Sequence, residues 1–170
     1  MTKEFIFKKM TTSNEIAAFW QKKREYEKND VFPNLVESGE ELTEIIEWVQ
    51  SKKYYELIMK LHRNDLKDGA GLQFTFIYQE NDYIGFLMYK VYSLEDGKCF
   101  ILDFCVEPEH RNQKNVTKII SSFEKAVKRK EDATYLALNV SNGNNQRFWT
   151  RQGFFATEID ENGEVLYVKK

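Results

Sequence analysis

One stretch limits what this chain can fold into more than any other: Phe100 to Lys130, FILDFCVEPEHRNQKNVTKIISSFEKAVKRK. From Phe100 to Val106 every residue except Asp103 is apolar, and Pro108 closes the run. A half-exposed strand would alternate, so this one reads as buried on both faces in the middle of an α/β sheet. A polar turn covers Glu107 to Asn115. Val116, Ile119, Ile120, Phe123, Ala126 and Val127 then recur at helical spacing and lie along one face of an amphipathic helix. A buried strand feeding a polar turn and a helix is an anion-binding arrangement. The first-turn N–H groups have no intrahelical partner, and the helix dipole favours a phosphate there.

The flanking sequence supplies the rest of a sheet. Lys3 to Lys9 reads as a short strand. Thr11 to Asn14 offers N-caps for a helix carrying Ile16, Phe19, Trp20, Lys23 and Tyr26 as far as about Lys28. Asn29 to Gly39 reads as a loop. Leu42, Ile45, Ile46, Val49, Leu57, Ile58 and Leu61 give one long helix or two short ones between Glu40 and Leu61. After a turn at Asp68 to Gly71, Phe74–Tyr78 and Tyr83–Tyr92 form an antiparallel hairpin. Gly85 inside its second strand signals a bulge or a close backbone approach. Beyond the long helix come a strand at Ala133–Val140 and a short helix at Gln146–Gln152, stopped by Gly153. A hairpin of Phe154–Ile159 and Glu164–Val168 follows. This order predicts an α+β fold with a mixed sheet, and 170 residues suit a single domain over residues 1–170.

Charge and composition exclude some roles. A net charge of −2 gives no global reason to expect nucleic acid, and no run approaches the ~18 apolar residues of a membrane span. The start, MTKEFIFKKM, does not read as a signal peptide. Cys99 and Cys105 lie six apart on one strand, which predicts a shared face and a separation of about 20 Å, too far for a disulfide. They read as reduced thiols in a cytoplasmic protein. His62 and His110 have no metal-ligating partners at usable spacing, so no metal is expected.

Two motifs carry a family resemblance. Val106-Glu-Pro108-Glu-His-Arg111 and its helix resemble the central motif of the GNAT acetyltransferases, V-x-P-x-x-R/Q-x-x-G-x-G/A. The first half matches, whereas Lys114 and Val116 stand where the pattern has small residues. Asn142, then Gln146 to Trp149, then Gly153-Phe154 resemble that family's later motif, with Trp149 where many members have a tyrosine that protonates the departing coenzyme A thiolate. The resemblance covers essentially the whole chain. It implies the GNAT fold, a mixed, mostly antiparallel seven-stranded sheet flanked by about four helices. It also implies an N-acetyltransferase that moves the acetyl group of acetyl-CoA to a primary amine of a small molecule or peptide, by direct attack in a ternary complex.

The resemblance implies a site as well. Acetyl-CoA would lie against Cys105, Val106, Arg111, Asn112, Gln113, Lys114, Asn115, Val116, Thr117, Asn142, Phe148 and Trp149. A backbone N–H near Val106 would polarise the thioester carbonyl, and the Arg111 to Thr117 amides would hold the pyrophosphate, with Lys114 and Lys118 as added cations. Asp103 and Glu107 are the candidate catalytic carboxylates. A carboxylate inside an apolar strand is costly unless it is paired or faces a cavity. Asp103 therefore either lines the acceptor cleft or forms a buried ion pair with a lysine. The altered loop leaves a second reading, a GNAT-fold binding or regulatory module without activity. Oligomeric state is open, with a homodimer as one option.

Overall fold

The computed structural model describes residues 4–65, 67, 69–140 and 143–170. The elements run β1 (Phe5–Lys9), α1 (Ser13–Tyr26), a π-helical turn (Glu27–Val31), a 3₁₀ turn (Phe32–Asn34), α2 (Gly39–Val49) and α3 (Lys52–His62). Next come β2 (Gln73–Gln79), β3 (Asp82–Tyr92), β4 (Lys98–Val106), a 3₁₀ turn (Pro108–His110) and α4 (Gln113–Lys130). The chain closes with β5 (Tyr135–Asn139), α5 (Gly143–Arg151), β6 (Phe155–Ile159) and β7 (Val165–Lys169). One seven-stranded sheet, ordered β1-β2-β3-β4-β5-β7-β6, holds them together. Every neighbouring pair is antiparallel except β4 and β5, the pair that α4 connects. The α+β expectation holds. Among the described residues there are five α-helices against the expected four or so, because the 40–61 segment takes the two-helix option and breaks at Gln50 and Ser51, where Ser51 caps α3 by accepting from the Tyr54 N–H. The expected turn at Asp68 lies partly outside the described residues.

Two cores sandwich the sheet. On one face α4 lays Val116, Ile119, Ile120, Phe123 and Val127 against Leu87, Tyr89 and Cys99. On the other, Phe19 and Trp20 of α1 and Ile58 of α3 pack on Phe74, Phe86 and Cys105. The cysteines thus sit on opposite faces, which corrects the expectation of a shared one. Met88 pairs with Asp103 and Tyr89 with Ile101, so Leu102 is an extra residue in β4. This bulge reverses the alternation beyond it. It turns Asp103 toward the α1 face, where a regular strand would aim it at α4.

The expectation that β4 is buried on both faces also needs correction. Phe100 and Leu102 to Phe104 are only half-buried, because among the described residues the pairing with β5 stops at Phe100↔Ala137. The bulge twists the rest of β4 away from its neighbour. The Asn29–Gly39 loop is likewise more ordered than expected, with π and 3₁₀ turns through Asn34.

Gly85 satisfies both of its expectations. It follows a bulge at Ile84, and a Cβ at this position would lie 2.1 Å from the Cys105 carbonyl oxygen. Gly85→Ala is therefore expected to cost about 1–3 kcal/mol by forcing β3 and β4 apart. Urea unfolding checks this, and an unchanged midpoint would show that the two strands separate freely. No helix among the described residues is long and apolar enough to cross a membrane.

Candidate functional site

The parting of β4 and β5 opens a cavity of about 900 Å³. Phe104, Val116, Phe148 and Trp149 line it from the α4 face, and Tyr26 and Cys105 from the α1 face. It therefore passes through the sheet. The Glu107 N–H donates to the Ile84 carbonyl at 2.8 Å. Strand alternation then turns the Val106 N–H the other way, to the open edge. The cavity wall also carries three guanidinium side chains, Arg111, Arg147 and Arg151. Trp149 is fixed by edge-on contacts to Phe104, Phe148 and Phe154.

The first turn of α4 leaves fewer backbone amides without an internal partner than the sequence suggested. Of the Arg111 to Thr117 amides, Arg111 donates to the Pro108 carbonyl and Asn112 to that of His110. Asn112 is the N-cap and accepts from the Asn115 N–H at 2.8 Å. Val116 donates to the Asn112 carbonyl and begins the helical ladder that continues through Thr117. Helix geometry leaves Gln113 and Lys114 as the amides open to an anion. Val116 is buried, packing into the core beside the larger cavity that it also lines, and Lys114 is exposed to solvent. Arg111 is engaged on two sides. Its Nε donates to the Val106 carbonyl, and its Nη2 lies 2.6 Å from Asp30 Oδ2. The hydrogen bond to Asp30 comes first among the causes that hold this guanidinium above its ordinary value.

Asp103 has both of the surroundings that the sequence left as alternatives. Its Oδ2 is 2.6 Å from Lys23 Nζ, which is also 2.9 Å from Glu27 Oε2. Lys23 and Glu27 are 1% and 4% exposed. The Asp103 side chain is 21% exposed and lines a second, smaller cavity of about 220 Å³ with Tyr54, Phe100, Leu102 and Glu164. Glu107 instead accepts a 3.3 Å hydrogen bond from the Tyr83 hydroxyl and lines neither cavity. Burial, with Glu107 nearby, pushes the Cys105 thiol up to about 12, so at neutral pH it is a protonated core thiol rather than a nucleophile.

The structure brings Cys105, Val106, Arg111, Asn112, Val116, Phe148 and Trp149 together around the larger cavity. Lys114, Asn115 and Thr117 share the first turn of α4 but stand outside that lining, and Gln113 opens the same turn. Asn142 lies outside the described residues. Sequence reasoning missed Tyr26, Asp30, Phe104, Arg147 and Arg151. The four-residue spacing of Arg147 and Arg151 was a readable sign of a cationic helix face. Asp30 gave no such sign, because its segment read as a loop. Among the described residues no group of three or more metal-binding side chains occurs.

The comparisons with known proteins agree with this architecture. The acetyltransferase (GNAT) family model matches residues 38–154. The whole chain is similar in fold to PaiA N-acetyltransferase from Thermoplasma acidophilum, solved with coenzyme A. The TM-score is 0.64 at 18% identity, covering 98% of this chain and 99% of that one. An aminoglycoside N(6′)-acetyltransferase from Legionella pneumophila gives 0.58 at 15% identity, over 99% and 93% of the two chains. An acetyltransferase from Salmonella typhimurium that modifies the N-terminal serine of ribosomal protein L7/L12 gives 0.57 at 13%, over 99% and 95%. A sequence search of curated proteins finds no match.

Proposed function

We propose, because this chain belongs to the acetyltransferase (GNAT) family, that it transfers the acetyl group of acetyl-coenzyme A to a primary amine by direct attack. One observation carries the reading: a cavity lined from both faces of the sheet lies where β4 leaves β5, at an edge to which strand alternation turns the Val106 N–H. The residues fit the cosubstrate. Phe104, Phe148 and Trp149 offer an apolar wall for a pantetheine arm, and the Gln113 and Lys114 amides with three arginines offer seats for its phosphates. The Val106 N–H is placed to donate to a thioester carbonyl and to the oxyanion that develops there.

Asp103 is the group we assign to the amine. A primary ammonium with a pKa of ~10 must lose a proton before it attacks, and a carboxylate open to the smaller cavity draws that proton off directly or through water. The Lys23–Glu27 pair fixes the orientation of that carboxylate. The smaller cavity is then the acceptor side, sized for a small amine or for one residue of a peptide. Two buried free thiols suit a reducing compartment such as the cytoplasm.

Thiol release from acetyl-coenzyme A in the presence of a panel of small amines and peptide N-termini tests this reading. Amine-dependent release with an acetylated product supports it. No transfer to any acceptor, with weak or absent binding of acetyl-coenzyme A, favours the second reading, a GNAT-fold binding or regulatory module without activity. The Asp30–Arg111 pair supports that alternative, since a carboxylate already occupies the guanidinium nearest the anion seat.

A further inference from the structure

We infer that Tyr26 is a catalytic residue, whose phenolic O–H donates a hydrogen bond to the coenzyme A sulfur as it leaves. The inference rests on the acetyl-transfer reading above. Charge develops on sulfur when the C–S bond breaks, and a donor placed there beforehand lowers the barrier. Trp149, at the end of α5, can donate from its indole N–H but carries no acid–base function near neutral pH. Among the described residues that line the larger cavity, Tyr26 bears the only hydroxyl.

Its position follows from the sheet register. The Tyr26 ring stands edge-on to Phe86 at 5.5 Å, and Phe86 is the β3 partner of Cys105. Tyr26 thus covers β4 one residue before Val106, from the α1 side of the opening. A thioester carbonyl on the Val106 N–H has its sulfur one bond from the carbonyl carbon, within the same opening. Among the described residues the Tyr26 hydroxyl has no hydrogen-bond partner, yet it is not sealed from solvent. Tyr26 is itself part of the lining of the larger cavity.

The neighbours determine what this hydroxyl can do. Asp103 and Cys105 face it from β4, Asp30 from the π turn and Arg111 from the turn after β4. Burial first, then Asp103, Cys105 and Asp30, hold the phenol well above its ordinary value, with Arg111 opposing. Tyr26 therefore keeps its proton through the reaction and acts as a hydrogen-bond donor, not as the acid. In balance, the amine nitrogen bonds to the acetyl carbon, and the C–S bonding pair goes to sulfur. Two protons leave the ammonium nitrogen, one before attack and one once the N–C bond has formed, both by way of Asp103 and water; the thiolate takes up one proton from water and the other stays in solvent.

The test is the affinity for free coenzyme A, by calorimetry across pH 6–10 (about neutral to the thiol range), relative to S-methyl coenzyme A, which has no thiol proton. Wild-type protein and Tyr26→Phe are compared, the phenylalanine keeping the ring on Phe86. A hydrogen bond to the thiolate lowers the bound thiol's pKa by about one unit, a tenfold gain in thiolate binding relative to the variant. Loss of that gain in Tyr26→Phe, with S-methyl coenzyme A bound equally by both proteins, is the expected result. Identical thiol titration in both proteins overturns the assignment while leaving the acetyl-transfer reading intact. A shift produced by Trp149→Phe and not by Tyr26→Phe also overturns it. If wild-type protein binds neither ligand, both the assignment and the reading beneath it fall.

Discussion

Replacing Lys23 with methionine is expected to cost about 3–5 kcal/mol of folding stability. The ammonium is 1% exposed, bridges Glu27 and Asp103 at 2.9 and 2.6 Å, and lies over the rings of Trp20 and Tyr54. Methionine fills much of the same volume but strands Glu27, itself 4% exposed, with only Arg24 at 3.2 Å for a partner. The penalty comes from the uncompensated carboxylate rather than from lost packing, so Lys23→Met with Glu27→Leu should recover a large part of it. Burial pushes Lys23 down, but Asp103, Tyr54 and Glu27 outweigh it and hold the ammonium above the ordinary lysine value. A raised folded value means that this contribution is complete below ~10.4 and is lost as pH rises through the folded value. Between pH 6 and 9 or thereabouts, no Lys23-dependent slope in stability should appear. Denaturant unfolding measures all of this. A loss below about 1 kcal/mol for the single variant would show that the triad is no more than a surface-type pair.

Asp103→Asn is expected to lower kcat for amine acetylation by about 10²-fold or more, the usual worth of a positioned general base. The affinity for acetyl-coenzyme A should stay as it was, because Asp103 lines the smaller cavity and not the larger. The amide preserves shape, and Lys23 keeps Glu27, so folding should suffer less than in Lys23→Met. The fall should shrink as pH approaches the amine's own pKa, where free neutral amine no longer needs a base. A uniform loss at all pH values, or an equal rise in KM for acetyl-coenzyme A, would assign Asp103 a purely structural part.

The sequence disclosed the fold through patterns that local chemistry enforces. The helical spacing from Val116 to Val127, the hairpin at Gln79 to Asp82 and the Gly153 stop all reappear in the structure. The Cys105–Val106 end of β4, Arg111 and the Phe148-Trp149 pair, far apart in the chain, line one cavity. What escaped notice depends on contacts far apart in the chain. An extra residue in β4 is visible only in its register with β3, so the faces of Cys99 and Asp103 were out of reach. Asp103 meets Lys23 eighty residues away, and Arg111 meets Asp30 eighty-one away. No local pattern encodes such pairs. Lys114 and Val116 looked like obstacles by residue type alone, whereas in the structure Lys114 is exposed to solvent and Val116 is buried in the core beside the larger cavity that it also lines.

Calorimetric titration of the wild-type protein with acetyl-coenzyme A decides whether the open β4 edge is a cosubstrate site. The account predicts saturable binding at one site per chain in the micromolar range. It also predicts tighter binding by Asp30→Asn, which frees Arg111 and removes a negative charge from the anion seat. No binding at millimolar acetyl-coenzyme A, by the wild-type protein or by Asp30→Asn, would contradict it.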